Sequence, residues 1–178
     1  MLTSNILGRV TGVNPSLIFG TIQTNGTGGF GNANLFLMNP YGFLFGPTAT
    51  VNVGGMMTFT TADYLRLGEI GSSAAGVFHA DPSQASILTA APVAAFGFIG
   101  SNPNAIAFEG GQLTVANGTG LALVGGDINV VPDSSGTPSS ITAPGRPIQM
   151  TSVAGPGEVA ADTGIPAAGN LIFARLKF

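Results

Sequence analysis

Apolar and polar positions along this chain alternate in short bursts rather than in long amphipathic stretches. The clearest run is RVTGVNPSLIFGTIQTNG from Arg9, followed from Asn32 by NANLFLMNPYGFLFGPTATVNVGG. Strand-like apolar runs there are cut by Asn-Pro, Asn-Gly and Gly-Pro breaks at nearly even spacing. Such breaks preset a turn or tolerate positive φ. The pattern predicts strands at Ile6–Val10, Leu17–Thr24, Asn34–Met38, Gly42–Phe45, Thr50–Val53 and Met56–Thr61. A second series is predicted at Val93–Ile99, Ala105–Phe108, Gln112–Val115, Leu121–Val124, Asp127–Val131, Ile148–Val153 and Leu171–Leu176. No segment sustains a 3.6-residue apolar period, and Thr61–Glu69 reads as one or two helical turns at most.

The breaks recur every eight to twelve residues or so, which allows a β-sandwich or a parallel β-helix. Two features favour the helix. Asn39-Pro40-Tyr41-Gly42-Phe43-Leu44-Phe45 is echoed by Asn102-Pro103-Asn104-Ala105-Ile106-Ala107-Phe108. The pairs Gly54-Gly55, Gly110-Gly111 and Gly125-Gly126 each separate strand-like runs. Repeated strand-corner units that cannot bury a face alone mark a solenoid. Residues 71–91 and 131–147 break the rhythm, the first as an insertion or loop and the second as a hairpin or long loop.

Composition sharpens this picture. Hydrophobic residues are 44% and charged residues only 7%, a balance that raises a membrane reading. Yet no run of about 18 apolar residues exists, and the longest candidate, Ile87–Gly100, is broken by Pro92 and Gly97. Glycine lacks the G-X-Y period of collagen. Abundant apolar residues with a net charge of −3 argue against disorder. The 5 basic residues are scattered, which excludes nucleic-acid binding. With 0 cysteines, disulfides, thiol catalysis and thiolate metal sites are excluded. MLTSNILGRV lacks the basic and apolar regions of a signal peptide, so an exported form is expected to be a processed or partial piece.

Candidate chemistry is sparse. Asn39-Pro40-Tyr41-Gly42 is a tight turn between coils, part of a recognition surface, or both. Asn14-Pro15-Ser16 forms a second Asn-Pro corner, with Ser16 available as a cap. Gly26–Gly31 matches G-x-G-x-x-G but is followed by a strand-like run rather than a helix, so it reads as a turn. His79 is the only histidine and has no G-x-S-x-G partner, and one histidine without cysteine builds no usual zinc site. Asp127 follows a Gly-Gly pair, but one carboxylate does not saturate Ca²⁺. The acids Asp63, Glu69, Asp81, Glu109, Asp127, Asp133, Glu158 and Asp162 are scattered. A glycosidase pair needs two acids held about 5–9.5 Å apart.

The Arg9–Gly55 stretch closely resembles the secretion domain of two-partner secretion exoproteins, the filamentous haemagglutinin N-terminal (haemagglutination activity) domain. LALVGGDINV from Leu121, ITAPG from Ile141 and SVAGPGEV from Ser152 resemble its C-terminal half, so the likeness covers residues 5–160. The resemblance implies an all-β fold, a right-handed single-stranded parallel β-helix with loop or hairpin excursions, as one domain over residues 1–178. It implies a secretion and targeting module of an adhesin-like exoprotein, secreted or displayed on the cell surface. The partner implied is an outer-membrane β-barrel transporter of the Omp85 type (TpsB-like), with Asn14, Pro15, Ser16, Asn39, Pro40, Tyr41 and Gly42 as turn or recognition residues. Through the full-length protein, a host or neighbouring-cell surface follows as a further partner. No catalysis and no cofactor are implied. Two departures stand out. The family's Asn-Pro-Asn-Gly signature is Asn39-Pro40-Tyr41-Gly42 here, and strands that usually precede the equivalent of Arg9 are missing. An edge exposed near Ile6–Val10 predicts self-association. The alternative is a β-helical protein that binds or cleaves polysaccharide.

Overall fold

The computed structural model describes residues 5–24, 31–161 and the backbone of 176–177. Its first turn of chain holds three short strands, Asn5–Arg9 (β1), Ser16–Ile18 (β2) and Thr21–Gln23 (β3). The next turn lays Asn34–Met38 (β4) on β1, Phe43–Phe45 (β5) on β2 and Thr50–Asn52 (β6) on β3, all parallel. Met57–Thr60 (β7) then lies parallel on β4. There the chain leaves to form Tyr64–Leu67 (β8), Gly76–His79 (β9) and Val93–Phe98 (β10), paired antiparallel. It returns with Ile106–Glu109 (β11) on β5 and Gln112–Thr114 (β12), the latter reaching the third stack through a Val51–Val115 bridge. Leu121–Gly125 (β13), Ile128–Val131 (β14) and Ser140–Thr142 (β15) add to β7, β11 and β12. Ile148–Ser152 (β16) lies on β13, Gly157–Ala160 (β17) joins β10 antiparallel, and Leu176–Lys177 (β18) lies on β14.

The chain therefore visits three parallel stacks in one repeated order and carries a separate antiparallel sheet, β17-β10-β8-β9. It is all-β, with no helix among the described residues. The echo seen in the sequence is a stacking register, with Phe43 opposite Ile106 and Phe45 opposite Phe108. The Gly-Gly corners have a steric cause. A Cβ on Gly54 would lie 1.9 Å from the Gly31 carbonyl oxygen, and one on Gly126 would lie 2.0 Å from that of Pro103. Backbones of successive turns meet there, so no side chain fits.

Three segments differ from the sequence expectation. Leu17–Thr24 is two strands, cut by the Phe19-Gly20 corner. Thr61–Glu69 contains strand β8 rather than helical turns, because Leu65 and Leu67 are buried while Tyr64 and Arg66 face outward, a period of two. Within 131–147, expected as a hairpin or long loop, β15 pairs in parallel with β12 and so rejoins the third stack. Residues 71–91 include β9, which lies outside the parallel stacks as an insertion would. Residues 171–175 of the last expected strand and 26–30 of the glycine run lie outside the described residues.

Alternate side chains of the three stacks point to a shared interior. Phe43, Phe45, Phe59 and Phe108 are buried in it. The Phe45 and Phe108 rings stack at 4.5 Å between centroids, and Phe59 meets Phe45 edge-on at 4.8 Å. Leu35, Met57 and Leu121 add an aliphatic ladder on the first stack, one residue per turn. The outer face of that stack is apolar too. Phe36, Met38 and Val124 pack there against Leu65, Leu67, Phe96 and Phe98 of the antiparallel sheet. The first stack is thus covered on both faces, which accounts for the continuous burial of β7 and β13, the threonines of β7 included.

Candidate functional site

Pro40 presets φ for a turn whose ends are closed by a hydrogen bond from the Gly42 N–H to the Asn39 carbonyl at 3.0 Å. Gly42 takes φ +103°, and a Cβ there would lie 2.7 Å from the Ala105 carbonyl oxygen. Asn39 is fully buried. Its Oδ1 accepts the Tyr41 N–H at 3.0 Å, and its Nδ2 donates to the Asn14 carbonyl at 3.1 Å and to Ser16 Oγ at 2.9 Å. On the other side, Asn104 Nδ2 donates to the Pro40 carbonyl at 2.7 Å. Three successive turns of chain are therefore stitched at one corner by amide side chains. Ser16 does not cap its own turn; it accepts from the amide of the next one.

Tyr41, the departure from the family signature, contributes only its backbone to this network. Its side chain is 43% exposed and lines an open groove of about 690 Å³. The groove runs between the Val10–Val13 loop, the Asn39–Gly42 turn and the end of the antiparallel sheet, where Asp63, His79, Asp81 and Ile99 line it. Asp63 is held in place: its Oδ2 accepts the Ile99 N–H at 2.6 Å, and its carbonyl accepts the Ala80 N–H at 2.8 Å. Hydrogen bonds from the Ser83 backbone N–H and then its hydroxyl hold the Asp81 carboxyl below the usual range. Arg9 pins β1 to this sheet, donating to the His79 carbonyl at 2.7 Å with its guanidinium 5.2 Å from the Phe78 ring centre.

The sequence singled out Asn14, Pro15, Ser16, Asn39, Pro40, Tyr41 and Gly42, and the structure gathers them at one corner. Of the acids, it brings only Asp63 and Asp81 to one groove among the described residues. Glu158 is bonded to Arg66 at 3.0 Å and to the Tyr64 hydroxyl at 3.1 Å. Asp133 closes its own loop with Ser135 and Thr137, whose hydrogen bonds hold its carboxyl below the usual range. Among the described residues no three His, Cys, Asp or Glu side chains group as a metal site. The sequence reading missed the groove. Asp63, His79, Asp81 and Ile99 reach it through antiparallel pairings that leave no local mark in the sequence.

Searches of curated proteins and of solved structures give no match. A family model does match: the TPS secretion domain, over residues 3–171. That span takes in every parallel stack and the Asn-Pro corner, and the chain belongs to the TPS secretion domain family of two-partner exoproteins.

Proposed function

We propose that this chain is the secretion and targeting module of a large adhesin- or haemagglutinin-like bacterial exoprotein, recognised by an outer-membrane β-barrel transporter and without catalysis of its own. The observation that carries this reading is the family match over residues 3–171. In its folded form the module is a right-handed, single-stranded parallel β-helix. Parallel crossovers within a sheet are right-handed in nearly all proteins, which supports that hand. The corner formed by Asn14, Pro15, Ser16, Asn39, Pro40, Tyr41 and Gly42 serves in recognition as well as in turning the chain. The exported protein acts at or beyond the cell surface.

The test is export in a bacterial host. The chain, given a cleavable Sec signal peptide and a C-terminal reporter, is expressed with and without a TpsB-like outer-membrane transporter from the same genome. Reporter in the medium only when the transporter is present is the expected result. Equal release without the transporter, or none with it, overturns the reading.

A further inference from the structure

We propose that the groove beside the Asn-Pro corner docks an extended, lysine- or arginine-bearing segment of a protein partner. That this partner is the export transporter rests on the function proposed above.

Charge is the first argument. The chain has 8 acidic residues, and two of them, Asp63 and Asp81, line this one groove. Among the described residues, no Lys or Arg lines it. Arg9 is near enough to act on Asp81, but it donates to the His79 carbonyl and lies over the Phe78 ring. In a chain that is only 7% charged, two carboxylates against the single nearby guanidinium of Arg9 still leave the groove net negative, which favours a cationic guest.

The walls are the second argument. Val13 is 69% exposed and Ile99 66%, flanking the half-exposed Tyr41 ring. Exposed aliphatic side chains converging on one groove mark an interaction site. They suit the aliphatic stems of Lys and Arg and their apolar neighbours. A sugar site would instead present broad aromatic platforms, and among the described residues Tyr41 is the only such ring that lines the groove. Third, the walls are fixed beforehand by the Asp63–Ile99, Ala80–Asp63 and Arg9–His79 hydrogen bonds. Pre-formed walls lower the ordering cost of binding.

The experiment titrates the whole chain with the purified, detergent-solubilised TpsB-like transporter that supports release in the export assay. Asp81→Lys and Ile99→Lys, which add positive charge to the groove, are each expected to weaken binding by about tenfold or more. Raising NaCl from about 50 to about 500 mM is expected to weaken the wild-type chain. Ile70→Glu, at an exposed apolar position outside the groove, is expected to bind as the wild type does. Unchanged circular dichroism and melting temperature establish that the variants fold, and Asp81→Asn provides a milder charge removal. If the chain binds and the groove variants bind equally well, the groove proposal falls while the secretion reading stands. If the chain binds no transporter but binds chitohexaose through the same residues, the protein partner is overturned in favour of a sugar. No binding to either overturns the groove proposal, and the export assay then judges the secretion reading separately.

Discussion

Replacing Asn39 with alanine isolates the cost of unstitching the corner. The side chain is fully buried and makes three hydrogen bonds, to the Asn14 carbonyl, Ser16 Oγ and the Tyr41 N–H. Asn14 and Tyr41 are exposed residues and Ser16 is half-buried, so their orphaned atoms regain water in part. The ordinary net value of about 0.5–1.5 kcal/mol per bond then applies, rather than the larger penalty for a sealed polar group. Three bonds give a loss of about 2–4 kcal/mol. At about 2–4 °C per kcal/mol for a chain of this size, the melting temperature falls by about 5–15 °C. Urea titration followed by far-UV circular dichroism and by tyrosine fluorescence measures this, since the chain has 2 Tyr and 0 Trp. Coincident transitions license a two-state free energy, a condition worth testing in a stacked architecture. Ser16→Ala removes one acceptor and costs about 0.5–1.5 kcal/mol. The double variant is expected to cost less than the sum, by about 1 kcal/mol, because both changes delete one shared bond. A loss below about 0.5 kcal/mol for Asn39→Ala, or strict additivity with Ser16→Ala, refutes the stitched corner.

Gly97→Ala is expected to destabilise the antiparallel sheet more than Glu158→Ala. A Cβ at Gly97 would lie 2.0 Å from the Tyr64 ring, whereas the Arg66–Glu158 pair is a partly exposed bridge, worth about 0–1 kcal/mol; urea midpoints decide the order. Burial, then the hydrogen bond to Glu158, raises the Tyr64 pKa above 10.0, so its stabilising contribution is full below that value and is lost as pH climbs through the folded one. In a Tyr41→Phe background, ultraviolet titration is expected to show the remaining tyrosine ionising late, and Glu158→Gln to bring it back down. Phe108→Ala removes the ring stacked on Phe45 and is expected to cost about 3–5 kcal/mol in urea unfolding. Thr58 Oγ1 is buried without a hydrogen-bond partner, beside a cavity of about 20 Å³. Thr58→Val is expected to raise stability by about 1 kcal/mol, and a loss instead would reveal a water held there.

The parallel stacks were legible because each strand is a local event. Phe43-Leu44-Phe45 alternates in and out over three residues, and its echo at Ile106-Ala107-Phe108 repeats the same faces, so the register followed from the likeness. Glycine pairs marked the corners because close backbone contact forbids a Cβ at Gly54 and Gly126. The antiparallel sheet was not legible. Its β10 pairs with β8 on one side and with β17, some sixty residues later, on the other. Such a pairing writes nothing into either strand. The outward apolar residues Phe36, Met38 and Val124 were its trace, since they needed a cover that the coil alone does not supply. The corner was seen as a turn, but the amide ladder from Asn39 to Ser16 and Asn14 depends on how two turns align. The groove follows from the same long-range placement.

The low charge of the chain also follows from in-register stacking. Outward positions of the third stack are Thr21 and Gln23, Thr50 and Asn52, Gln112 and Thr114, Ser140 and Thr142, all polar and none charged. Strands in a sheet lie about 4.8 Å apart. Like charges at that spacing repel by about 1 kcal/mol even at the dielectric of water, and more beside a protein surface. A ladder of Lys or Glu on successive turns would accumulate that cost, whereas hydroxyls and amides bond along it. Thr21 and Thr50 hydroxyls meet at 2.6 Å, and Asn34 Nδ2 donates to Asn5 Oδ1 at 3.0 Å. Charges are accordingly displaced from the middle of the parallel strands. Among the described residues, Arg9 and Glu109 sit at strand ends, Asp63, Glu69, Asp81, Asp127, Asp133 and Arg146 in corners and loops, and Arg66 and Glu158 on the antiparallel sheet. Lys177, on the last strand of the second stack, is the exception. Stacking thus keeps the shaft neutral and moves charge to where the chain leaves it. The acidic groove beside Tyr41 lies at such a departure, where Asp63 follows β7 out of the first stack.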